Sequence, residues 1–70
     1  MNLKQAQEGK QYIIKNVAVN DKEVNAFLFS LGCYSGEPIT VIRHLKGGAI
    51  VAIKDGRYHV DNGLANAISI

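Results

Sequence analysis

The chain has 70 residues, 47% of them hydrophobic and 20% charged, with a formal net charge of +2; this balance suits one folded globular domain, residues 1–70, and argues against disorder. The eight Lys and Arg are scattered from Lys4 to Arg57, which sets aside a nucleic-acid or membrane-surface patch. Cys33 is the single cysteine, so no intrachain disulfide forms; Met1 to Gln11 lacks a signal-peptide core and no apolar run nears the roughly 20 residues that cross a bilayer, so a soluble, cytoplasmic protein is expected, meeting a membrane only through a partner.

In chain order, Asn2 to Lys10 reads as an opening turn around Leu3 and Ala6. Tyr12 to Val19 is rich in β-formers and predicts a strand; its facing stays open, because Ile13 and Ile14 are both apolar. Asn20 is the expected N-cap of a helix, with Glu23 completing a capping box and Val19 and Val24 at the staple positions. Val24, Phe27, Leu28 and Leu31 follow the spacing of one buried stripe, and Phe29 falls off it. Gly32 ends the helix where a positive φ is wanted, and Cys33 is placed to meet Leu28 across a Schellman cap.

Ser35-Gly36-Glu37-Pro38 reads as a turn, and Ile39 to Arg43 as a strand with Pro38 at its tolerated first position. Lys46-Gly47-Gly48 reads as a flexible loop. Ile50 to Ile53 runs into Asp55-Gly56, the dipeptide of a two-residue hairpin. That loop predicts pairs Ile53–Tyr58 and Val51–Val60, with Val51, Ile53, Tyr58 and Val60 inside and Ala52, Lys54, Arg57 and His59 outside. Asp61-Asn62-Gly63 then turns the chain into a last strand, Ala67 to Ile70. About five short strands, with one helix after the first, suggest a small barrel.

Leu28 to Val41 resembles the FeoA pattern: a leucine-rich short helix, Leu31-Gly32, a second glycine at Gly36, then Ile39-x-Val41. Leu3 with Glu8-Gly9 resembles that family's opening, and Ala65-x-x-Ile68-x-Ile70 its closing. The arginines common there in the helix are missing from Val24 to Phe29. The resemblance implies a mainly β, partly open SH3-like β-barrel. It also implies a small cytosolic accessory protein of bacterial ferrous iron uptake, which binds and modulates the FeoB permease through that permease's cytosolic GTP-binding domain. The same domain type forms the C-terminal module of iron-dependent repressors, so the alternative is a stand-alone metal-sensing module.

Gly32 and Gly36 are read as backbone devices. Phe29, Tyr34, Lys46, Gly47 and Gly48 form the expected partner-binding surface, on the ground that an aromatic outside the buried stripe anchors partners; the other reading packs Phe29 under the Lys46 loop or against the N-terminal segment. His44 and His59 lack metal-ligand spacing, and Cys33 reads as a small cap contact. Glu37, His44 and His59 are the only set the metal-sensing alternative has. No activated nucleophile or phosphate-cradling Gly-x-x-x-x-Gly-Lys occurs, so neither catalysis nor a cofactor is expected. Lys54, Arg57 and His59, joined by Arg43 or Lys46, form a basic face for an acidic patch or else an ordinary solvated hairpin tip. RNA binding would want more than +2 of charge with exposed aromatics, so no nucleic acid is expected. An unpaired edge strand would let two copies pair as a homodimer.

Overall fold

In the computed structural model, which describes residues 1–70, the chain opens on a 3-10 turn at Leu3–Gln5. The Asn2 side chain accepts from the Lys4 N–H and the Gln5 side chain accepts from the Asn2 N–H, and this reciprocal cap drives Leu3 into the core.

The strand expected over Tyr12 to Val19 is broken into β1, Gln11–Ile13, and β2, Asn16–Val17. The break is a change of partner. β1 pairs with β3, Pro38–Leu45, and β2 with β6, Ile68–Ser69. Between them the Ile14 N–H donates to the Glu37 carbonyl and the Lys15 N–H to the Ser69 carbonyl. The bend also settles the facing, with Ile14 buried and Ile13 outside.

Helix α1 spans Lys22–Leu31. Its N-cap is Asp21 rather than Asn20: the Asp21 carboxylate takes the Glu23 and Val24 N–H groups. Glu23 thereby moves to the second helical position, where it cannot close a box. The predicted stripe is also too wide. Leu28 is buried, Val24 and Leu31 are half-buried, and Phe27 is 60% exposed, because the barrel offers this helix a seat for one fully buried side chain. The C-terminal end is as expected. Gly32 has φ 93°, its N–H donates to the Phe29 carbonyl and the Cys33 N–H donates to the Leu28 carbonyl, a Schellman cap that carries Cys33 into the core beside Leu28.

β3, β4 (Gly48–Ile53) and β5 (Gly56–Asp61) form a meander, and the four-stranded sheet runs β1-β3-β4-β5. A bulge between Val41 and Arg43 bends β3, letting the sheet curl. The β4–β5 register differs from expectation: Ile53 pairs with Gly56 and Val51 with Tyr58. Lys54 and Asp55 form the turn, with Lys54 at φ 52°. Gly56 is kept clear because its Cβ would overlap the Tyr58 ring. The slip is by two residues, so side-chain faces survive: Val51, Ile53 and Val60 are buried and Tyr58 packs against them.

Asp61 to Gly63 does not simply turn. Asp61 caps a second helix, α2, Asn62–Ala67, by accepting the Leu64 N–H, and Ala65 enters the core. β6 follows and closes a partly open barrel on β2. The Ile70 N–H then donates to the Met1 carbonyl at 2.8 Å, so the two ends of the chain lie together. Leu3, Ile14, Ile39, Val41, Val51, Ile53 and Ile68 fill the centre. No helix is long and apolar enough to cross a membrane.

Candidate docking site

The reversal at Gly32 decides the site. The chain doubles back under the last turn of α1, and the Tyr34 ring stacks on Phe29 with centroids 4.5 Å apart and planes at 25°. Phe29 stays 63% exposed, so it packs neither under the Lys46 turn nor against the N-terminal segment. The pair forms one lip of a groove of about 300 Å³, whose walls are Asn16 and Val17 of β2, Asn25 of α1, and Cys33 and Ser35. Side-chain bonds hold these walls. Asn25 Nδ2 donates to the Val19 carbonyl at 2.6 Å and Ser35 Oγ to the Lys15 carbonyl at 2.7 Å. Burial pushes the Cys33 thiol pKa up, so this wall is an uncharged, weakly reactive surface.

Beside the aromatic lip, Lys54 Nζ reaches Glu37 Oε1 at 2.9 Å. The Lys54 stem crosses Gly32 closely enough that a Cβ there would stand 2.6 Å from Cε. Glu37 is held below the usual carboxylate range by its bond to Lys54 and then by the Tyr34 hydroxyl. The same carboxylate raises Tyr34 and Lys54. The Phe29 ring thus covers one side of Tyr34, whose hydroxyl lies within the electrostatic reach of Glu37.

The expected partner surface is split. Phe29 and Tyr34 are together, but Lys46 and Gly47 sit at the far end of β3, eight residues of strand or about 25 Å away. The Lys46–Gly47 turn is also tied down: both its carbonyls accept from Asn62. Gly48 is not loop at all. It is buried as the first residue of β4, and a Cβ on it would overlap the Val60 carbonyl oxygen. It therefore offers a partner no surface. Asn16, Asn25 and Ser35 had no sequence signal as groove walls, because Asn16 is brought there by the bend after β1, Ser35 by the reversal at Gly32, and Asn25 by its bond to the Val19 carbonyl.

The set Glu37, His44 and His59 does not assemble. Glu37 is paired with Lys54, His44 Nε2 lies 2.6 Å from the Ala6 carbonyl, and His59 is exposed on β5. No three His, Cys, Asp or Glu side chains come together anywhere as a metal-holding group.

A bent strand shared by two small sheets, with a capped helix at the mouth, defines an SH3-like β-barrel. The FeoA domain profile matches residues 1–70, and the chain belongs to the FeoA family. It is similar to a crystal structure of the iron uptake regulatory protein FeoA, with 23% identity over 97% of this chain and 91% of that one and a TM-score of 0.81. The FeoA protein of Chlorobium tepidum gives 21% identity, 99% and 67% coverage and a TM-score of 0.87. A manganese-dependent transcriptional repressor shares the fold over 39% of its length, with 20% identity, 97% coverage of this chain and a TM-score of 0.78. At these identities the likeness to solved structures concerns the fold. No curated protein sequence matches the chain.

Proposed function

We propose that this domain is a cytoplasmic accessory protein of ferrous iron uptake that docks on the cytosolic GTP-binding domain of the FeoB permease and modulates it. Membership of the FeoA family supports the role in ferrous iron transport. The observation that carries the docking reading is the Phe29–Tyr34 stack, left in solvent on the lip of a groove. Large aromatics fixed in one geometry lose little freedom on binding and are the commonest energetic anchors of interfaces. The domain acts by contact, reaches the membrane through its partner, and uses Lys46 and Gly47 only where that partner spans both ends of β3.

Metal sensing is the weaker reading, because Glu37 and His44 are each engaged by another group, His59 stands exposed on β5, and the three do not come together. Calorimetric titration into the permease's GTP-binding domain, with and without GTP and at two salt concentrations, tests the docking reading. Saturable binding is expected, weakened about thirtyfold or more by Phe29→Ala, the loss typical of an interface anchor. Absence of binding in every nucleotide state would overturn it.

A further inference from the structure

The outer face of the four-stranded sheet is uncovered, and its composition differs from that of the groove. Residues opposite one another in a sheet share a face. Ala49 and Val51 point into the core, so Ile50 and Ala52 point out. Cross-strand pairing then sets Arg43, Ile50 and His59 in one row and Thr40, Ala52 and Arg57 in the next. Arg43, Arg57 and His59 are exposed, while Ile50, Ala52 and Thr40 form a half-buried floor between them. Neither arginine makes an ion pair: the one salt bridge of the chain is Lys54–Glu37, which also removes Lys54 from this face. The carboxylates near it are Asp55 in the hairpin turn, Asp61, next in line after His59 along β5 and engaged in capping α2, and Glu8 at the β3 edge beside Arg43, which accepts the His44 N–H at 2.6 Å.

Arg43 and His59 stand two strand spacings apart, about 10 Å, and Arg57 and His59 two residues apart along β5, about 7 Å. An extended chain repeats side chains of one face at that same 7 Å interval. We infer that this face is a second docking surface, separate from the Phe29–Tyr34 groove, and that it takes an extended acidic segment of a protein partner with carboxylates at alternate positions. Arg57 and His59, neighbours along β5, take successive carboxylates at that interval and Arg43 reaches the segment from across the floor, while Ile50, Ala52 and Thr40 take the small side chains between them. A protein fits better than a nucleic acid, because the half-buried floor of Ile50, Ala52 and Thr40 carries no aromatic ring and the single ring of the face, His59, falls short of the run of aromatics on which successive bases stack. The inference does not depend on the identity of the groove's partner.

The test is an amide chemical-shift titration of the whole domain with a capped heptapeptide alternating Glu and Val, at about 50 mM and about 200 mM salt, where exposed charges are screened to different degrees. Controls are the same peptide with Lys for Glu and a decameric oligouridylate. Saturable shifts are expected at Arg43, Ile50, Ala52, Arg57 and His59, several-fold weaker at the higher salt. They should vanish in the double variant Arg43→Gln, Arg57→Gln, whose exposed sites leave the melting temperature in place. Shifts absent from this face, shared by the Lys peptide or unchanged in the double variant would overturn the inference. Tighter saturable binding of oligouridylate at the same residues would also overturn it, assigning the face to nucleic acid.

Discussion

Lys54 and Glu37 meet at 2.9 Å, and through that contact the β4–β5 turn is fastened to the turn that starts β3. The Lys54 stem runs over the helix cap on the way, so one side chain ties its own hairpin turn to two points, Gly32 and Glu37, that lie well before it in the sequence. Its head sits beside Tyr34 and so beside the groove.

This contact gives stability a particular dependence on pH. Glu37 is lowered, so its contribution is complete above the unfolded carboxyl value and is lost as pH falls through the lowered one. Lys54 and Tyr34 are raised, so theirs is complete below their unfolded values and lost as pH rises through the raised ones. The difference in melting temperature between the natural chain and Glu37→Gln should therefore be largest near neutral pH. It should shrink below the ordinary carboxyl value of 4.5 and above the phenol value of 10.0. Thermal melts across pH check this, and because the pair is exposed to solvent the difference should fall with added salt.

Gly32→Ala combines two effects. At φ 93° an alanine is strained by about 1–2 kcal/mol, and its Cβ displaces the Lys54 stem from its path to Glu37. Denaturation of Gly32→Ala, Lys54→Ala and the double variant should give a cycle in which removing Lys54 relieves the steric part and leaves the backbone part.

Two neighbours on α1 should behave oppositely. Phe29→Ala loses a solvent-facing stack worth about 0.5–1.5 kcal/mol and should stay folded. Leu28→Ala removes the one fully buried side chain of the helix and should lose about 2–5 kcal/mol, comparable to the roughly 3–5 kcal/mol that so small a core supplies. Circular dichroism melts separate them, and a Phe29→Ala that unfolds would place Phe29 in the core.

The adjacent glycines of the β3–β4 turn should differ as sharply. Gly47 has open space around its Cβ position, whereas at Gly48 a Cβ would run into the backbone of Val60. Gly47→Ala should shift stability by no more than about 0.5 kcal/mol. Gly48→Ala should reach or exceed the upper end of the about 1–3 kcal/mol cost of overpacking, since backbone cannot swing aside as a side chain does. Urea titrations of the two variants measure both.

Local chemistry made much of the fold legible. Leu28, Gly32 and Cys33 write the end of α1 within six consecutive residues, and Asp55-Gly56 locates the hairpin to within two residues. The face assignments on β4 and β5 held because a slip of two leaves alternation unchanged. What was not legible depended on distant partners. The β1–β2 break is imposed by Glu37 and Ser69, α2 is six residues around a glycine with no periodic run, and Phe27 lost its place because the barrel, not the helix, sets how much is covered. Among the candidate site residues, Phe29 was visible as an aromatic off the stripe. Its stack on Tyr34 was not, and neither was the placing of Lys46 at the opposite end of the molecule.

The bond from Ile70 to Met1 and the bridge between Asn2 and Ser69 make a seam joining positions at nearly the greatest separation the chain has. Such pairings are slow to close during folding, because the most loop entropy is surrendered before they form. Splicing the ends and opening the exposed Lys46–Gly47 turn would turn the seam into a neighbouring contact. The resulting circular permutant should keep the barrel and exchange its slowest pairing, β2 with β6, for a new one between β3 and β4.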